Sequence, residues 1–187
     1  MSDPLALSAD LPAPADDGAA VHLRGARVPD VALPSTDGGD VRLAALPGLS
    51  VVFAYPRTGT PGEEPLGGEA AWNAIPGARG CTPEACAIRD EHARFTAHGA
   101  RIFGLSTQTT AEQAEAVARL GLQYPLLSDA RLELATALRL PTFAVEGHTL
   151  LKRLTLVVRD GVVDGVLYPV FPPDRAAANA LDWLERV

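Results

Sequence analysis

LSVVFAYP, residues 49–56, is the stretch that decides the fold. It is short, nearly all apolar, and rich in β-branched and aromatic side chains. A strand of that kind is buried on both faces, as in a parallel sheet. Residues 57–80 after it read as loop. The run TPGEEPLGGEAAWNAIPGARGCTPEAC (60–86) lies mostly in that loop and ends on both cysteines of the chain, Cys81 and Cys86. Thr82-Pro83 predicts a helix start, with Thr82 as N-cap and Pro83 in the first turn. Ala85, Ile88 and Phe95 then repeat at helical spacing, and Gly99 is the expected stop.

Working outward, VALPSTDGGDVRL (31–43) has two short extended pieces around Asp37-Gly38-Gly39, a hairpin signal. ARIFGLST (100–107) is a second buried strand. Residues 110–120 predict a helix with Ala114, Val117 and Ala118 inward, ended by Gly121. PLLSD (125–129) is a short strand and 130–139 a short helix. Arg153–Val158 and Val162–Tyr168 flank Arg159-Asp160-Gly161 as a second hairpin. Ala177, Ala180, Leu181 and Leu184 form the inner stripe of a closing helix begun by Pro172-Pro173-Asp174. Such an order of strands and helices requires an α/β fold, a mixed central sheet with helices on both faces and an N-terminal β-hairpin. A central strand that runs into a loop and then a cysteine-bearing helix is the thioredoxin-like arrangement. Sites in such sheets lie at the carboxyl ends of strands, here near Tyr55-Pro56 and Ser106-Thr107-Gln108.

The chain has 187 residues, enough for one domain, with 47% hydrophobic and 21% charged residues. Residues 1–22 read as a disordered or loosely packed arm and 23–187 as the domain. A net charge of −7 argues against nucleic acid as a partner. No apolar run approaches the roughly 20 residues that span a bilayer. The first residues lack the basic and apolar regions of a signal peptide, so a cytoplasmic location is expected. Two cysteines are too few for a disulfide framework and too few for a zinc site. His92 and His98 match no finger spacing, so no metal is expected. No glycine run follows a nucleotide-binding pattern, so no cofactor is expected.

Cys81 falls at or just before a helix N-terminus, where unpaired N–H groups and the helix dipole favour a thiolate. Five residues of ideal helix separate two Cα atoms by at least roughly 7.5 Å. A disulfide wants about 5.5–6 Å. Either one cysteine lies off the helix, or bridging requires local unwinding.

The run C-T-P-E-A-C-A-I-R-D (81–90) resembles the peroxiredoxins, and among them the Q-type or bacterioferritin-comigratory branch. The likeness extends over nearly the whole chain after residue 24. It includes V-P-D-V-A-L-P-S-T-D-G (28–38), V-V-F-A-Y-P (51–56), G-L-S-T (104–107), L-L-S-D (126–129) and R-L-T-L-V-V-R-D-G (153–161). The resemblance implies a metal-free peroxidase acting on hydrogen peroxide and organic hydroperoxides. Cys81 would be the peroxidatic cysteine and Cys86 the resolving one, closing an intramolecular disulfide. A thioredoxin- or glutaredoxin-like reductant would reopen it. Arg153 matches the arginine that holds the thiolate. Glu84 matches a family glutamate and either orients an arginine or suits the positive helix end. The expected assembly is a monomer or weak dimer. A peroxide sensor or another disulfide oxidoreductase is the alternative, although the C-x-x-C of the latter is absent.

The chain departs from the pattern at one place. In the family, proline, threonine and cysteine run P-x-x-x-T-x-x-C. Pro56 and Thr60 keep that spacing, but an 18-residue insertion, 63–80, precedes Cys81, and Ala78 falls where threonine belongs. Either the insertion bulges out and leaves Thr60 near Cys81, or Thr58 or a backbone N–H replaces it. Trp72, Ile75 and two prolines imply a packed insertion, which either covers and modifies the site or is ornamental.

Overall fold

The computed structural model describes residue 7 and residues 10–187. Nine strands and six α-helices follow in chain order among them. The first two strands, β1 (Leu33–Pro34) and β2 (Asp40–Val41), pair antiparallel across the expected Asp37-Gly38-Gly39 turn. β3 (Leu49–Ala54) is buried at every position, as its apolar run requires. It lies at the centre of a five-stranded sheet. On one side it pairs in parallel with β4 (Ala100–Ser106), which pairs in parallel with β5 (Leu126–Ser128). On the other side it pairs antiparallel with β8 (Leu154–Arg159), the first arm of the second hairpin, and β9 (Val162–Leu167) closes that edge. The sheet is therefore mixed, and the fold is the thioredoxin-like α/β arrangement expected.

The period of two along β3 divides the core between the faces. Val51, Phe53 and Tyr55 face α2 (Cys81–Asp90), α3 (His92–Ala97) and α6 (Ala176–Leu184). The edge of Phe95 meets the ring of Phe53 at 5.8 Å. Val52 and Ala54 face Leu23, Val28 and Leu33, with Leu134 and Leu138 from α5 (Glu133–Leu138). The predicted inner stripe of α6 is fully inside: Ala177, Ala180, Leu181 and Leu184 are all buried.

Four local readings are corrected. The loop 57–80 contains a helix, α1 (Glu69–Ala74), whose Trp72 is buried against Ala78 and Leu150. The partner surface is a hairpin the periodicity did not reveal, β6 (Thr142–Val145) with β7 (His148–Leu151). The cysteine helix starts at Cys81, not after Thr82. Gly80 caps it with a left-handed backbone, φ 108°, and Thr82 makes no cap bond. Pro83 is the third helical residue, where its missing N–H is not needed. The helix does not run on to Gly99, because the backbone at Glu91 (φ −97°, ψ 5°) separates α2 from α3.

The inner face of α4 (Thr110–Leu120) carries Gln113 and Ala116, not Ala114 and Ala118, which are exposed. Gln113 donates from Nε2 to the Ser106 hydroxyl at 2.9 Å and to the Leu127 carbonyl at 2.8 Å. A polar side chain anchored through its Nε2 holds the inward position, so apolar periodicity alone misplaces the face. Thr109 starts α4 with a capping box to Glu112.

Of the expected arm, residues 1–6, 8 and 9 lie outside the described residues. Further on, Asp17 accepts from Lys152 Nζ at 2.7 Å and from the Tyr168 hydroxyl at 2.8 Å, and Ala20 is buried. The Lys152 ammonium and the Tyr168 hydroxyl hold the Asp17 carboxyl well below the usual range.

Gly165 of β9 lies under the indole of Trp183 from α6. A Cβ there would come within 2.4 Å of the ring. Gly165→Ala is expected to lower stability by about 1–3 kcal/mol, as overpacking does. Urea unfolding of the two proteins measures this, and coincident curves would contradict the packing described.

Candidate functional site

The register of the sheet builds the site. β3 and β8 are antiparallel with Ala54 opposite Leu154. The chain leaving β3 and the residue entering β8 therefore meet at one edge. The first is Tyr55-Pro56-Arg57 and the second is Arg153. Tyr55 and Pro56 are buried, and Thr58 is 4% exposed. Gln108, just past β4, locks this turn: the N–H and hydroxyl of Thr58 donate to its Oε1 at 2.9 and 3.0 Å, and its Nε2 donates to the Thr58 carbonyl at 3.2 Å.

Cys81 opens α2 beneath this turn. Its Sγ accepts from the Arg57 backbone N–H at 3.4 Å and from Arg153 Nη2 at 3.3 Å. Arg153 is 3% exposed, and its Nη1 donates to Glu84 Oε2 in a buried ion pair. Nη2 also lies within reach of the carbonyls of Gly77, Ala78 and Arg79 at 3.3, 3.5 and 3.4 Å. A buried guanidinium needs such partners, since its desolvation is costly. Of the two readings of Glu84, the structure brings it to Arg153 as well as to the first turn of α2. Gly80 fixes the entry: at φ 108°, with the ring of Pro173 at 2.6 Å from any added Cβ, only glycine fits.

Cys81 and Cys86 are both free, both buried and both on α2. Of the two possibilities left by the spacing, neither cysteine is off the helix. A bridge between them therefore requires unwinding. Tyr124 braces the same segment, donating its hydroxyl to the Ala85 carbonyl at 3.1 Å. Burial pushes its phenol well up, so it remains a donor.

Thr60 makes no hydrogen bond to Cys81 among the described residues. It lines, with Cys81 and Gly80, a cavity of about 370 Å³. Both ends of the insertion thus wall one space, and Leu66 and Trp72 between them line it as well. Thr58 has its hydroxyl committed to Gln108, whereas Thr60 is half-buried at the cavity wall. Of the Ser106-Thr107-Gln108 strand end, Gln108 reaches the site, while the Thr107 hydroxyl donates away to Thr149 at 2.9 Å.

Sequence reasoning missed Arg57, Arg119 and Tyr124. Arg57 acts on the sulfur through its backbone, which leaves no side-chain signal. Its guanidinium pairs with Glu112 at 2.7 Å. Arg119 of α4 donates to the Gly59 carbonyl at 2.8 Å and steadies the same turn. Among the described residues no group of three or more His, Cys, Asp or Glu side chains is placed to hold a metal. No helix among them is long and apolar enough to cross a membrane.

Two outcomes follow from this geometry. Glu84→Ala strands a buried guanidinium and should cost about 3–5 kcal/mol by chemical denaturation; a change near zero would contradict the buried pair. Burial raises the Glu112 carboxyl, but the N–H and hydroxyl of Thr109 and the charge of Arg57 outweigh it, so the carboxyl sits below its ordinary 4.5. A depressed carboxyl stabilises the folded state above its unfolded value and loses that contribution as pH falls through the folded one. The stability difference between wild type and Glu112→Gln should therefore be present at neutral pH and shrink progressively as pH falls below 4.5. A difference that persists unchanged at lower pH would contradict this.

Comparisons with known proteins place the chain in a family. The sequence model of the Redoxin family matches residues 23–181. The chain is 34% identical over 110 residues to a peroxiredoxin of Schizosaccharomyces pombe; this covers 57% of the chain but only about half, 47%, of that relative's length. It is 29% identical over 164 residues to a chloroplastic peroxiredoxin Q of Oryza sativa, covering 87% of the chain and 66% of the relative. The crystal structure of peroxidoxin BcpB from Mycobacterium tuberculosis is 31% identical and superposes with a TM-score of 0.69, over 88% of this chain and 97% of that one. With a cysteine under a buried arginine at the end of the central strand, and these relatives along its length, the chain belongs to the Q-type peroxiredoxins of the Redoxin family.

Proposed function

We propose that the chain is a thiol-dependent peroxidase that reduces hydrogen peroxide and organic hydroperoxides. One observation carries this reading: Arg153 Nη2 and the Arg57 N–H converge on Cys81 Sγ at 3.3 and 3.4 Å. Two fixed donors around one sulfur stabilise negative charge there, and the start of α2 adds to it. The Cys81 thiolate attacks the outer peroxide oxygen. The O–O bond breaks, and the inner oxygen leaves as water or alcohol after taking a proton. Sulfur is oxidised to sulfenic acid as the peroxide is reduced. Arg153 then offers its donors to the oxygen on which charge develops. Glu84 holds the guanidinium in place. Pro56 shapes the turn over the sulfur, and Thr60 presents its hydroxyl to the incoming peroxide from the cavity wall.

Cys86 is the resolving cysteine. When α2 unwinds, its sulfur attacks Cys81, water leaves, and an intramolecular disulfide forms. A thioredoxin- or glutaredoxin-like dithiol restores both thiols by exchange. The reducing setting this requires fits the cytoplasm, with the protein acting as a monomer or weak dimer. A peroxide sensor would share the first step but recycle poorly with any dithiol.

The test is stopped-flow consumption of hydrogen peroxide by pre-reduced protein. Wild type should react, Cys81→Ser should not, and Arg153→Met should be slower by about 10²–10³-fold, the loss typical of one preorganised donor. Circular dichroism establishes that each variant is folded. Full activity in Cys81→Ser would end the proposal.

A further inference from the structure

The cavity beside Cys81, about 370 Å³, is of the size that houses a small organic molecule and far exceeds what hydrogen peroxide fills. Its outer wall is the insertion. Leu66 and Trp72 line it. That wall is rigid, because Trp72 packs on Ala78 and Leu150 and its ring lies 6.4 Å from that of Phe143 in β6. The charges around the cavity are unevenly matched. Arg57, Arg79 and Arg119 line it, but each already pairs with a glutamate: Glu112, Glu69 and Glu115. Glu63 and Glu64 also line it, are exposed, and have no side-chain partner among the described residues. The insertion therefore gives the entrance uncompensated negative charge over an apolar wall.

We propose that the insertion makes this site selective for uncharged organic hydroperoxides, whose apolar body lies against Leu66 and Trp72 while the O–O group reaches Cys81. The inference rests on the peroxidase reading. The chemistry is unchanged: the outer oxygen passes to Cys81 Sγ, the O–O bond breaks, and the alkoxide leaves as the alcohol after protonation by water. What the insertion adds is apolar contact for the organic group and repulsion of a carboxylate.

The experiment measures single-turnover rate constants of pre-reduced full-length protein with hydrogen peroxide, cumene hydroperoxide and the anionic hydroperoxide of linoleate, at low ionic strength. Wild type should prefer cumene hydroperoxide to the anionic substrate. Leu66→Ala should lower the ratio of cumene hydroperoxide to hydrogen peroxide rate constants by about tenfold, the scale of a lost apolar pocket contact. Leu66→Met should restore it. The pair Glu63→Gln and Glu64→Gln should raise the rate with the anionic substrate by roughly threefold, an effect that salt removes. An unchanged ratio in Leu66→Ala, or an anionic rate indifferent to the glutamates, would overturn the inference while leaving the peroxidase reading intact. Should Leu66→Ala not fold, the exposed glutamate pair decides alone. No reaction of wild type with any of the three peroxides overturns the peroxidase reading itself.

Discussion

Arg153 is a permanent cation at 3% exposure, and the site is organised around satisfying it. Its fork reaches the Glu84 carboxylate, the Cys81 sulfur and three successive carbonyls at the end of the insertion. An unpaired buried charge would cost several kcal/mol, so these partners are constrained together. The antiparallel register of β3 and β8 delivers the arginine to the edge where β3 ends. Gly80 turns the chain so that Cys81 opens α2 at the same edge. The insertion is tied in through its last residues, which is why lengthening the loop has not separated Thr60 from the sulfur's cavity. Loop length itself costs little, about 0.6 kcal/mol per doubling.

The same helix that positions Cys81 keeps it from Cys86. Both thiols sit on α2, which is held by the arginine, by Tyr124 on the Ala85 carbonyl, and by Gly80 against Pro173. A thiolate at a helix start needs the helix formed; a disulfide along that helix needs it opened. Segments that serve two states belong to the less stable parts of a structure. In the reading proposed here, oxidation of Cys81 has to loosen contacts that Arg153 makes in the reduced form.

The fold was legible where burial was simple. The apolar run 49–54 gave the central strand, and Ala177 to Leu184 gave the last helix, because each presents one uniform surface to the core. Reading failed where a polar side chain held an inward position, as Gln113 does in α4, or where a glycine backbone did the capping expected of Thr82. The helix within the insertion was hidden because its burial comes from one tryptophan packing on a distant hairpin. At the site, Cys81, Arg153 and Glu84 could be found by motif, since it is their side chains that meet there. The Arg57 N–H could not, because a backbone donor has no residue signature. Gln108 was visible only by its place at a strand end.

The most direct test of the cysteine roles is the intact mass of reduced protein after one equivalent of peroxide. The account predicts loss of two hydrogens in wild type, from a Cys81–Cys86 disulfide, and addition of oxygen at Cys81 in Cys86→Ser. An unchanged mass in wild type, or a persistent oxygen adduct with no disulfide, would contradict it.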